Sequence, residues 1–397
     1  MNTNYRRTMY AGFIGYIVQA IVNNFVPLLF VTFQADYGIP LSKITMLITV
    51  NFVIQLLVDL LSAVFIDRIG YKASVLIAHG CAAAGLICLA VLPDMTADPY
   101  AGLLAGVVIY AVGGGLIEVL ISPIIEACPT ENKEKAMSLL HSFYCWGHVG
   151  VVLLSTLFFA LAGIENWKIL TFVWALIPIA NGILFAGAPV RSLSSDGEEE
   201  MGLRSLLSSK IFWIMMLMMV CAGASEQAVS QWASTFAEEG LGVSKAVGDL
   251  AGPMAFAFFM GTSRLIYGKF GHRLNLDRFM MGSCILCILS YLWISLIPVP
   301  FLGLAGCAAC GFSVGILWPG SFSKASAAIR GGGTTMFALL ALAGDLGCSG
   351  GPTFAGLISS RFGNDLHKGI LAAIIFPVLL LIGMMLHRRT VSRRMEA

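Results

Sequence analysis

Twelve apolar stretches, each of helix length and separated by short polar turns, constrain this chain more than any other feature. They run over 9–33, 43–66, 73–93, 99–124, 137–163 and 167–189, then 211–236, 246–267, 279–297, 300–323, 334–359 and 369–386. About 20 consecutive apolar residues are needed to cross the hydrocarbon of a bilayer as a helix, and about half that as a strand. A backbone in lipid finds no water, so it must close its own hydrogen bonds as a helix or in a closed barrel. The alternation of a barrel strand is missing here. The expectation is an all-α membrane protein with twelve transmembrane helices. With 58% apolar and 12% charged residues, a water-soluble enzyme is excluded. A net charge of +2 gives no reason to expect a nucleic-acid partner. The first stretch is too long for a signal-peptide core and is read as a span.

The 24 Lys and Arg residues fall mainly on the side that holds both termini, among them Arg6, Arg7, Arg68, Lys72, Lys133, Lys135, Lys269, Arg273, Arg388 and Arg389. The opposite side has Lys43, Lys168, Lys245, Arg361 and Lys368. The positive-inside rule then puts both termini in the cytoplasm of a cell inner (plasma) membrane.

The one long polar stretch, 191–210, lies at the midpoint and reads as a linker between an N-terminal six-helix bundle (1–190) and a C-terminal one (211–397). The halves repeat each other. Ser42-Lys43 and Ser244-Lys245 open the second and eighth segments, and Gly70-Tyr71-Lys72 and Gly271-His272-Arg273 close them. Gly115 precedes Pro123 by eight residues in the fourth segment, as Gly311 precedes Pro319 in the tenth. Two pseudo-symmetric six-helix bundles with a site at the midplane are a carrier architecture.

Asp67-Arg68-Ile69-Gly70-Tyr71-Lys72 resembles the signature loop of the major facilitator superfamily, and Gly268-Lys269-Phe270-Gly271-His272-Arg273 resembles its degenerate repeat. The resemblance implies the major facilitator fold, with Asp67, Arg68 and Lys72, joined by Asp59, as a gate whose acids and bases lock helix ends in one state. Within the superfamily the chain looks most like the fucose permease-like branch of sugar:cation symporters. Gly115-Leu116-Ile117-Glu118-Val119-Leu120-Ile121-Ser122-Pro123 is similar to that branch's glycine, buried glutamate and Asn-Pro pattern, with Ser122 for Asn. Leu317-Trp318-Pro319-Gly320-Ser321-Phe322 and Gly223-Ala224-Ser225-Glu226 with Trp232 are similar to its patterns in the tenth and seventh helices. The first helix departs from it: Asn23-Asn24 stands where such permeases often have Asn-Asp.

An ionised group at midplane depth costs about 2.5 to 3.5 kcal/mol, so acids retained there need a use or a partner. Candidates for the coupling ion are Glu118, Glu226, Asp345 and His141; Asp345 is expected to pair with Arg264 or a histidine. Candidates for the solute are Gln19, Asn23 and Asn24 in the first segment and Tyr144 and Trp146 in the fifth. Gln227, Gln231 and Trp232 in the seventh and Trp318 in the tenth complete the set. Amides and carboxylates suit hydroxyl pairs, and an indole suits the apolar face of a ring. The alternative for each polar group is a hydrogen bond between helices. The ten cysteines read as packing residues, with no metal site, and no cofactor is expected. These observations imply a secondary active transporter, not an enzyme, working as a monomer. It would carry a sugar or similar small polar solute together with a proton or sodium ion. An exporter of drugs or amphipathic metabolites, or a solute sensor on the same scaffold, is the alternative.

Overall fold

The computed structural model describes residues 5–191, 193, 201–231, 233, 242, 245–297, 299–363 and 365–396. Trp232, Ser244 and part of the linker, residues 192 and 194–200, lie outside the described residues. The described residues form α1 (Arg6–Asn24), α2 (Phe30–Tyr37), α3 (Leu41–Ile69), α4 (Tyr71–Met95), α5 (Pro99–Glu126), α6 (Lys133–Ala162), α7 (Trp167–Ala186) and α8 (Leu203–Leu207). These are followed by α9 (Lys210–Ser230), α10 (Lys245–Phe270), α11 (Leu276–Leu296), α12 (Pro300–Val314), α13 (Leu317–Ala328), α14 (Gly333–Arg361), α15 (Leu366–Ala373) and α16 (Ile375–Glu396). No strand occurs among the described residues.

Over the described residues each of the twelve apolar stretches is mainly helical. The first is broken after Asn24, where a single turn containing Pro27 joins α1 to α2. The tenth is divided into α12 and α13 just before Trp318, and the twelfth into α15 and α16. Nine helical segments, among the described residues, are long and apolar enough to cross a membrane. In α3 the apolar part is a shorter run, Met46–Ser62. Large apolar side chains such as Leu57, Leu60, Leu61 and Phe65 on α3, and Leu153, Leu154, Leu157 and Leu161 on α6, are exposed, as a lipid solvent requires.

Local chemistry sets several boundaries. Asp98 caps α5 by accepting from the Tyr100 N–H at 3.0 Å, with Pro99 at the first helical position, where its missing N–H is no loss. Gly70, the single residue between α3 and α4, has φ +88°, a conformation open to glycine and strained for any residue with a Cβ. That explains the glycine of the Asp67–Lys72 loop without reference to a ligand.

The chain forms two compact units. One comprises Met1–Pro129 and Trp146–Gly197, the other Thr130–Cys145 and Glu198–Ala397. The boundary therefore divides α6, whose first half packs with the second unit. Inside each unit, matched glycines make matched contacts. A Cβ on Gly115 of α5 would press on Val58 and the Gln55 backbone of α3, and one on Gly311 of α12 would press on the Phe256 backbone of α10. The fourth segment thus packs on the second as the tenth packs on the eighth, which is the repeat read from the sequence expressed in space.

Candidate functional site

The first unit holds a run of hydrogen-bonded polar side chains across α1, α3 and α5. Gln19 on α1 donates from Nε2 to Glu118 Oε2 on α5 at 3.0 Å and to Gln55 Oε1 on α3 at 3.0 Å. Gln55 Nε2 in turn donates to Asn23 Oδ1 at 2.8 Å and Asn51 Oδ1 at 3.0 Å, and Asn51 Nδ2 donates to Asn23 Oδ1 at 3.2 Å. Beside it, Tyr16 and Ser122 hydroxyls lie 2.9 Å apart.

Helical periodicity assembles this run. Gln19 and Asn23 stand four apart on α1, and Asn51, Gln55 and Asp59 stand at four-residue intervals on α3, one stripe each. The three glycines of α5 bring the stripes together. Successive residues of a helix point about 100° apart, since 3.6 make a turn. Accordingly Gly113 meets the α4 backbone at Ala78 and Ala82, Gly114 meets Val22 and Gln19 of α1, and Gly115 meets Val58 and Gln55 of α3. Small residues let membrane helices approach this closely. Gln19 Oε1 is buried with no hydrogen-bond partner in the structure, so the run ends in an open acceptor.

Of the expected site residues, the solute candidates Gln19 and Asn23 and the coupling-ion candidate Glu118 are therefore joined in one run. Asn24 does not join them: its Nδ2 turns back to Ala20 O at 2.9 Å on its own helix. Asn51 and Gln55 were not among the expected residues. Their signal was present in the sequence, as amides four residues apart, with Asp59 a turn further, in a mainly apolar segment. Asp59, expected at the gate, is fully buried on this stripe, about three turns before the end of α3. Asp67 stands in the last turn of α3 and Arg68 is exposed. Lys72 donates from Nζ to Ala188 O at 3.2 Å, just beyond the C-terminal end of α7. A cation is favoured there because helix dipoles leave carbonyl oxygens unpaired at that end.

The second unit has a different centre, the Arg264 guanidinium on α10, 4% exposed. It donates from Nε to Gly315 O at 2.7 Å, and from one terminal nitrogen to His141 O at 3.1 Å and Cys145 Sγ at 3.2 Å. Its other terminal nitrogen faces Glu226 Oε2 on α9 at 3.5 Å. Glu226 thus supplies a carboxylate to Arg264, a pairing that the sequence, read as pairing Asp345 with Arg264 or a histidine, does not single out. A buried guanidinium needs a counter-charge and hydrogen-bond acceptors, and this site supplies some of each.

His141 is buried and its ring lies 5.9 Å from that of Phe322. Tyr144, Trp146, Gln227 and Asp345 are half-buried, and Gln231 is exposed just past α9. The indole of Trp318 fills the space that a Cβ on Gly344 would take, so the glycine beside Asp345 exists to admit the ring. Cys284, Cys287, Cys307 and Cys310 are buried thiols on α11 and α12. Among the described residues no three His, Cys, Asp or Glu side chains are grouped as a metal site would need.

Solved structures share this fold. A crystal structure of the transporter FucP in the outward conformation matches with a TM-score of 0.81 at 15% identity, covering 96% of this chain and 99% of that one. The E. coli fucose:proton symporter FucP matches in a second crystal structure at 0.79 and 14% identity, with 96% and 99% covered. The proton:xylose symporter XylE matches at 0.80 and 12% identity, with 96% and 94% covered. No curated protein sequence matches the chain. The family model of the Major Facilitator Superfamily matches residues 11–352. Nine membrane-length apolar helical segments among the described residues, a glycine contact found in matched positions in each unit, and a family match over most of the chain lead to one conclusion: this multi-pass membrane protein belongs to the major facilitator superfamily of transporters.

Proposed function

We propose that the chain is a secondary active transporter that carries a sugar or similar small polar solute together with a cation, by alternating access. In this reading the halves 1–190 and 211–397, joined by the linker 191–210, expose a site to each side in turn. Both termini are cytoplasmic, the membrane is the inner or plasma membrane, and the monomer suffices. The observation that carries the reading is the unbroken run Glu118–Gln19–Gln55–Asn23–Asn51. Amide donors and acceptors alternate along it at hydrogen-bond distance, which matches the paired donors and acceptors of a polyol, and Gln19 Oε1 waits for a donor. Glu118 receives one of those amides and is the coupling acid. Neutralised by a cation, it no longer opposes the dehydrated state, so solute and cation cross together. The names of the similar structures, proton symporters of fucose and xylose, favour a proton over sodium.

Counterflow in proteoliposomes tests this. With labelled fucose and xylose at the head of a panel of hexoses and pentoses, one sugar accumulates transiently against its unlabelled counterpart. Wild-type counterflow with no sugar in the panel refutes the solute class. Unchanged pH dependence of gradient-driven uptake in Glu118→Gln refutes the coupling site.

A further inference from the structure

The first half of α6 presents Glu134, Ser138, His141 and Cys145 at spacings of four, three and four residues, which is one face of a helix. Each is engaged with α10. Tyr267 donates its hydroxyl to Glu134 Oε2 at 2.8 Å, and Ser138 Oγ donates to the Arg264 carbonyl at 2.8 Å. The Arg264 guanidinium takes His141 O and Cys145 Sγ from one nitrogen. Gly268 lets the backbones close in, since a Cβ there would stand 3.0 Å from Leu139 Cβ and 3.1 Å from Leu139 Cα. One side chain therefore connects α6, α10, α12 through Gly315 O, and α9 through Glu226.

Of the partners named, only Glu226 carries a negative charge, and it is also the most distant, at 3.5 Å against 2.7 and 3.1 Å for the two carbonyls. The carbonyls satisfy the fork of the guanidinium, and the carboxylate compensates its charge. Removing that charge leaves a buried cation uncompensated, and the packing that buries it becomes the unfavourable state.

We infer that Arg264 is a latch that reads the charge on Glu226. An ionised Glu226 keeps Arg264 in place and the first half of α6 closed on α10 and α12, and a neutral Glu226 releases it. This rests on the proposed transport reading for its purpose but not for its geometry, and it gives the second buried acid a mechanical output.

Cys145 reports the latch, because its thiol is fully buried under Arg264. The full-length protein in lipid nanodiscs is treated with N-ethylmaleimide, and the modified cysteine is located by peptide mass mapping. Glu226→Gln, which removes charge but not volume, raises the rate at Cys145 about tenfold or more, while buried Cys128 and Cys287 stay protected. Tenfold corresponds to about 1.4 kcal/mol. Arg264→Gln raises it likewise, and adding Glu226→Gln to that variant changes nothing further, as expected of two residues in one interaction. If Arg264→Gln exposes Cys287 as well, Arg264→Lys takes its place: the charge remains, the fork is lost, and Cys145 becomes partly reactive. Wild-type protection of Cys145 in Glu226→Gln overturns the inference. So does an equal increase in the presence and absence of the Arg264 side chain, or full protection in Arg264→Lys. A protein that moves no labelled sugar yet shows this non-additivity keeps the latch and loses the transport reading. Sugar counterflow with an unresponsive Cys145 does the reverse.

Discussion

Alanine placed singly at Gly113, Gly114 and Gly115 separates packing from site chemistry, because the three positions differ only in what a methyl would strike. In a helix, alanine is favoured over glycine by about 1 kcal/mol. Overpacking a dense core costs about 1 to 3 kcal/mol. At Gly113 the new Cβ lies 2.6 Å from both Ala78 O and Ala82 N, which are backbone atoms of α4, so a whole helix must move. The upper end of the cost applies, for a net loss of about 2 kcal/mol. At Gly115 the nearest atoms are Val58 Cβ at 2.9 Å and Gln55 Cα at 3.1 Å, and an intermediate loss follows. At Gly114 they are Val22 Cγ1 at 2.9 Å and Gln19 Oε1 at 3.2 Å, both in side chains. The cost there is near the lower end and offsets the alanine gain, leaving stability within about 1 kcal/mol of wild type. Yet Gly114→Ala displaces the amide that holds both Gln55 and Glu118 at 3.0 Å. Thermal unfolding in detergent ranks the variants Gly113→Ala least stable, then Gly115→Ala, then Gly114→Ala. On the proposed transport reading, sugar uptake in proteoliposomes falls about tenfold in Gly114→Ala even though it is the most stable of the three, a loss of about 1.4 kcal/mol in the transport step. Wild-type uptake in Gly114→Ala, or a Gly113→Ala protein as stable as wild type, refutes the reasoning.

Three further outcomes follow from named contacts. Gly70→Ala forces a Cβ residue to φ +88° and lowers stability by about 1 to 3 kcal/mol without touching the polar run, so melting temperature falls while apparent affinity for the proposed solute stays unchanged. Asn181 donates to Ala11 O at 3.0 Å and to His79 Nε2 at 2.8 Å, while His79 Nδ1 lies 2.7 Å from Val75 O. Asn181→Leu strands a buried imidazole nitrogen and costs about 1 to 3 kcal/mol. The double variant with His79→Leu recovers part of that loss in thermal unfolding, because no polar group is then left unpaired. Gln55→Leu leaves Asn23 and Asn51 without their shared donor and costs about 2 kcal/mol, from three bonds at about 0.6 kcal/mol each. Sugar counterflow in that variant falls with it.

Much of this was legible because lipid narrows the choices. Helix or barrel is a two-way decision, and segment length settles it for all twelve stretches. Glu118 was legible for a related reason: one acid in a segment of glycine and aliphatic residues must have a partner, and Gln19, one turn before Asn23, was near enough in pattern to be nominated. Asn51 and Gln55 carried the same stripe signal as Gln19 and Asn23. They were missed because an uncharged amide costs less in a membrane than a carboxylate and so stands out less in a sequence. Asn24 could not be separated from Asn23 by sequence, since adjacent residues on a helix face directions 100° apart and only packing decides which faces the neighbours. Asn23 faces α3, and Asn24 spends its donor on Ala20 O.

The partner of Arg264 illustrates a deeper limit. Asp345 and Glu226 are both acids in apolar segments, and nothing in their spacing from Arg264 distinguishes them. The distinction comes from close backbone approach, at Gly268 against Leu139 and at Gly315 against Met260 and Ser263, which sets how α6 and α12 lie along α10. The carbonyls of His141 and Gly315 then take two sides of the guanidinium fork, and the direction left for the remaining nitrogen is toward α9. Charge pairing inside this unit is therefore decided by where glycine lets helices touch, and only afterwards by electrostatics. The consequence is specific: Gly268→Ala, with every charged residue intact, displaces Leu139 and with it the His141 carbonyl, and so unseats Arg264 as Glu226→Gln does. Faster alkylation of Cys145 in Gly268→Ala supports that order of causes, and wild-type protection there contradicts it.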